Sequence, residues 1–343
     1  MMIESRIIST SRIRQHVLYR KGSGKTLLFI HGNGSSSVFW KEMMRLLPAD
    51  YSILAPDLRG YGDTEAEPIR ATLGLRDVAD DIIALLDACE LDTVHVAGHS
   101  LGGNVCYKLF GMYPERFESA VMVNPGSPYG FGGSTGEEGK PSTPDFAGSG
   151  GGVANPEFVK RLADKDRSED DPNSSPRSVM NAFYWHPPFR PANEEELLDG
   201  VLSMKTGHRF YPGDFESTDR YPFVKPGKWG PINAVSPAYV GTTVTDFIGH
   251  TAHIPVLWVR GSEDLIVSDR SLFDLGTLGK MGLIPNYPGE DVYPPQPMVS
   301  QTRAVLERRG NFKEVVMEGT GHSPYIEQPQ LFIQHVTRFW NEI

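Results

Sequence analysis

The segment that most restricts how this chain can fold runs from Val94 to Phe110. A short run rich in β-branched residues, Val94-His95-Val96-Ala97, leads into Gly98-His99-Ser100-Leu101-Gly102, and a helical pattern with Val105, Leu109 and Phe110 follows. Strand, abrupt turn and helix packed into so few residues put Ser100 at the turn itself. The flanking glycines fit, because strand and helix approach too closely there for a Cβ and the serine backbone is strained. Gly-x-Ser-x-Gly arises by chance roughly 0.2 to 0.3 times in a chain of this glycine content. The pattern alone therefore carries little. A glycine-rich surface turn, however, would need neither the strand before it nor the helix after it. A helix that starts directly behind a serine also aims free N–H groups and its positive dipole end at any negative charge formed there.

The rest of the chain repeats the alternation. Apolar strand patterns occupy Lys25 to Ile30, Tyr51 to Asp57, Ser119 to Asn124, Ile254 to Arg260 and Phe312 to Met317, after a hairpin at Ile7 to Ser9 and Gln15 to Tyr19. Helical spacing fills Val38 to Leu47, Leu75 to Cys89, Met298 to Arg308 and a closing helix with Leu331, Phe332, Val336 and Phe339 on one side. Such alternation requires a parallel sheet with helices on both faces, an α/β fold. Between Pro125 and about His253 it lapses. A structureless loop of that length is improbable in a compact domain, so residues 126–253 read as an inserted unit between two parts of one core domain, 1–125 and 254–343. Its candidate helices are Pro156 to Lys165, Ser178 to Trp185 and Glu194 to Thr206, and the glycine-rich tract Phe131 to Gly152 reads as mobile.

Composition excludes several classes. A formal net charge of −10 argues against a nucleic-acid partner. The sequence from Met1 to Arg6 has no signal pattern and no run reaches the roughly 18 apolar residues of a membrane span, so a cytoplasmic protein without a membrane partner is expected. Cys89 and Cys106 lie in two helical patterns on either side of a strand and suggest neither a disulfide framework nor a metal cluster. His95, His99, His250, His253 and His335 lack the spacing of metal ligands. No metal and no cofactor is expected, and oligomeric state has no signature here.

Three residues capable of nucleophilic catalysis follow strand patterns in order: Ser100, Asp264 and His322. Together with His31-Gly32-Asn33-Gly34, Asp57-Leu58-Arg59-Gly60-Tyr61-Gly62, Gly98-His99-Ser100-Leu101-Gly102-Gly103, Gly261-Ser262-Glu263-Asp264 and Gly321-His322 with Glu327 and Pro329, they resemble the α/β-hydrolase superfamily in its capped, serine-nucleophile branch. The resemblance covers about Thr26 to Pro125 and Ile254 to Ile343. It implies the α/β-hydrolase fold, a mostly parallel eight-stranded sheet with helices on both faces, and a large inserted cap.

The residue types then suggest roles. A serine hydroxyl needs a base within hydrogen-bond reach, which His322 would supply, and a carboxylate to hold the imidazole, which Asp264 would supply. Glu263 is a rival for the acid, while Asn124, where some relatives carry it, cannot serve. The resemblance implies an oxyanion hole from the backbone N–H groups of Asn33 and Leu101, with His31 bracing the loop. Gly34, His99, Tyr184, Trp185, His186 and Tyr211 are candidates for substrate contact, although the aromatic residues also suit the core of the insertion itself. The expected activity is cofactor-free hydrolysis of a carboxylic ester or lactone, with a small acyl molecule as partner. Relatives that open epoxides or remove halogen carry aspartate where Ser100 stands. Amide cleavage, carbon–carbon bond hydrolysis, perhydrolysis and a non-catalytic receptor share the same residues.

Overall fold

The computed structural model describes residues 2–343; Met1 and the His250 side chain lie outside the described residues. One eight-stranded sheet runs through the chain. Its strands are β1 (Glu4–Ser9), β2 (Arg14–Arg20), β3 (Thr26–Ile30), β4 (Ser52–Pro56), β5 (Val94–His99), β6 (Phe117–Val123), β7 (Val256–Gly261) and β8 (Phe312–Met317). The spatial order is β1-β2-β4-β3-β5-β6-β7-β8. β1 pairs antiparallel with β2 and β2 with β4, whereas every pairing from β4 to β8 is parallel. The central strands are covered on both faces, and Ile30, Val96, Val121 and Val259 are wholly buried. That is why they read as continuous apolar runs.

Helices α1 (Lys41–Leu46), α2 (Arg76–Ala88) and α3 (Leu101–Met112) alternate with the strands from β3 to β6. The pattern expected as one helix from Val38 begins instead as a tight 3₁₀ turn, Ser37–Trp40, that buries Phe39 and Trp40 before α1 starts. Between β6 and β7 lie α4 (Pro156–Ala163), α5 (Pro176–Phe183), α6 (Glu194–Leu202) and α7 (Thr243–His250). α7 packs on the core helix α3, with the Phe247 ring 5.0 Å from Tyr107 and 6.2 Å from Phe110. The last helices are α8 (Met298–Arg309) and α9 (Pro329–Asn341).

The glycine-rich tract is not a loose strap. Buried Gln296 accepts from Gly132 N–H (2.7 Å) and donates to Gly130 O (2.9 Å), and buried Gln301 donates to Gly136 O (2.9 Å). Tyr293 OH donates to Gly148 O (3.1 Å), at a spot where a Cβ on Gly148 would collide with the phenol. The tract has few apolar side chains to bury, but its backbone groups are satisfied by side chains some 165 residues further on, which local composition cannot reveal. No helix among the described residues is long and apolar enough to cross a membrane. Both cysteines are free thiols, with Cys106 buried in α3.

Candidate active site

The candidate residues sit where parallel strands end. β5 stops at His99 and α3 begins at Leu101, so Ser100 makes the reversal alone, with φ 53° and ψ −117°. A side chain rarely adopts such a backbone, and the surroundings hold it there. Ser100 N donates to Val123 O on β6 (2.9 Å), and Ser100 O accepts from Gly103 N (2.8 Å). A Cβ on Gly98 would lie 2.6 Å from Cys106 Sγ, and one on Gly102 would lie 2.9 Å from His31 O. The two glycines are the close approach that the sequence pattern implies.

Asp264 and His322, on the loops after β7 and β8, come together. Their separation is 2.8 Å between Oδ2 and Nδ1, and both are buried. The other carboxylate oxygen is fixed by the N–H groups of Ile266 (2.7 Å) and Val267 (3.0 Å). Because a carboxylate only accepts, Nδ1 is the donor of this pair, and Nε2 makes no hydrogen bond among the described residues. Glu263 is exposed and accepts from Ser262 Oγ instead. Ser100 Oγ makes no hydrogen bond among the described residues, yet the loop of His322 is tied to the serine turn by its neighbour. His99 Nε2 donates to His322 O (2.8 Å), and the two rings lie 4.7 Å apart.

The loop after β3 closes over the same turn. Gly32 passes so near that a Cβ there would be 3.0 Å from Ser100 Cβ. The backbone N–H groups of Asn33 and of Leu101, the first residue of α3, donate to no other group among the described residues. His31 braces this loop. Its Nε2 accepts from Leu58 N (3.0 Å), so Nδ1 carries the proton and donates to Gly32 O (2.8 Å), and burial lowers its pKa, which keeps it neutral. Tyr61 OH donates to Asn33 Oδ1 (2.8 Å) and Tyr184 OH to Gly34 O (2.9 Å).

The remaining candidates divide. His99 is buried with both ring nitrogens engaged, Nε2 by His322 O and Nδ1 by Tyr325 OH at 3.4 Å, which leaves none for a ligand; burial pushes its pKa well down. Tyr184 reaches the loop after β3, Trp185 is buried against Tyr184 and Phe189, and Tyr211 is buried beside Phe158. The His186 side chain is exposed, and its backbone N–H makes the contact, donating to Glu327 Oε2 (2.8 Å).

Three features escaped sequence reasoning. Asn124 is the hub of the loop that carries His322: Nδ2 donates to Gly321 O (3.2 Å) and His322 O (2.8 Å), while Oδ1 accepts from Gly261 N (3.1 Å). Glu327 bridges Gly321 and His186. A hydrogen-bonded Ser-His-Asp chain exists elsewhere, with Ser5 Oγ 2.8 Å from His16 Nε2 and His16 Nδ1 2.7 Å from Asp57 Oδ2. No local signal pairs these residues.

Fold and site together define a parallel α/β scaffold with a strained serine and a His-Asp pair at its strand ends. The chain belongs to the alpha/beta hydrolase family, whose model matches residues 27–335. Among curated relatives it is 34% identical over 123 residues to "Epoxide hydrolase 2" of Siraitia grosvenorii, covering 36% of this chain and 39% of that protein's length. Solved structures with the same fold include a thermophilic esterase from Thermogutta terrifontis (TM-score 0.58, 18% identity, 99% of this chain and 98% of that one). A serine hydrolase from Cycloclasticus zankles is likewise similar (TM-score 0.61, 17% identity, 99% and 98%).

Proposed function

We propose that this chain is a serine hydrolase that cleaves a carboxylic ester or lactone through an acyl-enzyme on Ser100. The observation that carries this reading is the strained Ser100 at the N-terminus of α3, beside a loop whose His322 is bonded through Nδ1 to buried Asp264. Ser100 gives its proton to His322 Nε2 as Oγ attacks the carbonyl carbon. The oxyanion takes hydrogen bonds from Leu101 N and Asn33 N, and the leaving alcohol takes the proton back from His322. Water then attacks the acyl group with His322 again as base, and the acid departs. Asp264 keeps the imidazole in the required tautomer and stabilises its cation. Hydrogen bonds of this kind are commonly open before substrate binds and tighten on it, which fits the unbonded serine hydroxyl.

The relative named as an epoxide hydrolase does not transfer its chemistry to this reading. Opening an epoxide through an ester intermediate uses a carboxylate nucleophile, and position 100 holds a serine. Residues 126–253 serve in this reading as a cap, with Tyr184 on the oxyanion loop and Trp185 beside the base loop. The test uses p-nitrophenyl esters of graded acyl length together with a fluorophosphonate probe. Expected are turnover, labelling at Ser100, and loss of both in Ser100→Ala; neither turnover nor label in the wild type would remove the enzyme reading.

A further inference from the structure

Two segments far apart in the chain share one carboxylate. Glu327 Oε1 accepts the N–H of Gly321 (2.7 Å), in the loop that carries His322, and Oε2 accepts the N–H of His186 (2.8 Å), in the insertion. The two backbones also touch, since a Cβ on Gly321 would lie 2.7 Å from Trp185 C and 2.8 Å from His186 N. On its other side the base loop is held from the core by Asn124 and His99. Among the described residues the insertion's polar grip on the base loop thus runs through a single side chain. We propose that Glu327 is a positioning residue that couples the seating of the Trp185–His186 segment to the placement of the His322 loop, so that release of one frees the other. This deepens the reading of the site as a serine hydrolase and takes its catalytic meaning from it.

A carboxylate suits the task because both of its oxygens accept when it is ionised, and a protonated acid keeps acceptor capacity while its O–H turns aside, whereas an amide sets a donor against one of the two N–H groups. Burial nevertheless pushes Glu327 up to about 7; the N–H groups of His186 and Gly321 pull the other way, and the negative charge of Asp264 adds to the rise. Asp264, on the loop after β7, is the charged group that faces it. His322 on the base loop is tied to Asp264, and His186 on the insertion has an exposed ring.

The sign follows from linkage. A carboxyl group whose pKa is higher in the closed latch than in water binds its proton more readily when closed, so the closed form is favoured at low pH. Raising the pH from the ordinary 4.5 to about 7 shifts the latch toward opening, with a plateau above. One unit of difference is tenfold, so opening increases by roughly a hundredfold across that window.

Backbone hydrogen exchange at Gly321 and His186, followed from pH 5 to 8 and corrected for intrinsic chemistry, tests the coupling. In the wild type the two amides are expected to share one opening constant at every pH, rising by roughly a hundredfold across the range. Glu327→Gln, which has no ionisable group, flattens that dependence. Unrelated opening constants for the two amides, or a pH dependence that survives in Glu327→Gln, overturn the proposal. The wild-type series decides the coupling alone should the variant fail to fold. No substrate enters the measurement, so its failure is distinct from an absence of ester hydrolysis.

Discussion

Replacing Asn124 by aspartate changes almost nothing in volume but leaves at most one of the two donations that hold the His322 loop. Asn124 is buried and sits at φ 39°, a left-handed backbone that asparagine and aspartate both tolerate. An ionised carboxylate there would face Gly321 O and His322 O without a proton to offer, so it would stay protonated instead. Keeping a carboxyl group of ordinary pKa neutral at pH 7.5 costs up to about 5 kcal/mol, and at pH 5 about 1.5 kcal/mol. The introduced group has a raised folded-state pKa, so stability is intact below about pH 4 and is lost as pH rises. The protonated acid donates once where the amide donates twice, which adds about 1 kcal/mol at either pH. Urea unfolding of both proteins at pH 5 and 7.5 should therefore give a destabilisation that is about 3 kcal/mol larger at the higher pH. A loss below about 1 kcal/mol at pH 7.5, or the same loss at both values, would mean that residue 124 does not hold the carbonyls of 321 and 322.

Because the Asn124 side chain reaches backbone carbonyls of that loop, the Asp264→Asn/Asn124→Asp double variant should stay as inactive as Asp264→Asn, about 10⁴-fold below wild type in kcat; recovered turnover would show that position 124 can reach the ring. Ser100→Gly should abolish turnover and raise stability by about 1 kcal/mol in urea unfolding, since glycine adopts the strained backbone freely even after its larger unfolded-state entropy is counted; a less stable variant would argue against strain at the turn. Asp57 is lowered to about 2: burial pushes it up, but the bond and charge of His16 and the Ser37 N–H outweigh it. Its stabilisation is present above the ordinary 3.8 and lost as pH falls through about 2, about 2.5 kcal/mol in all. Asp57→Asn should flatten acid unfolding between pH 4 and 2, and an unchanged acid slope would contradict this assignment. Ser5→Ala should leave ester turnover unchanged, with fluorophosphonate recovered on Ser100 and none on Ser5 by peptide mass spectrometry.

The sheet was legible because its central strands are buried on both faces and so write themselves as unbroken apolar runs. The turn at Ser100 was legible because two glycines mark close backbone approaches that no other residue allows. Asp264 and His322 could be placed at strand ends from the same alternation. What the sequence could not convey is the polar scaffolding that joins distant segments. Asn124 reaches almost 200 residues forward to Gly321 and His322, and Gln296 and Gln301 reach about 165 back to the glycine-rich tract. A buried amide satisfies whichever backbone groups the tertiary fold delivers, so its partners leave no periodicity and no spacing. His186 shows the same limit, since its contact is made by a backbone N–H that any residue but proline would supply.

The Ser5-His16-Asp57 chain shows why residue types and distances do not make a site. Ser5, His16 and Asp57 are linked at 2.8 and 2.7 Å, whereas the Ser100 hydroxyl makes no hydrogen bond among the described residues. Yet Ser5 lies within the edge strand β1, in extended backbone, with its diagonal neighbour His16 on β2. No helix begins behind it, so no row of free N–H groups stands ready for an oxyanion, and a proton relay without that stabilisation forgoes what usually lowers the barrier to acyl transfer most. Ser100 has the opposite endowment: the unbonded N–H groups of Leu101 and Asn33 nearby, a helix N-terminus behind it, and a neighbouring loop whose His322 holds Asp264 through Nδ1. In the proposed reaction the missing hydrogen bond is the one part that a bound substrate can supply; a missing oxyanion site is not.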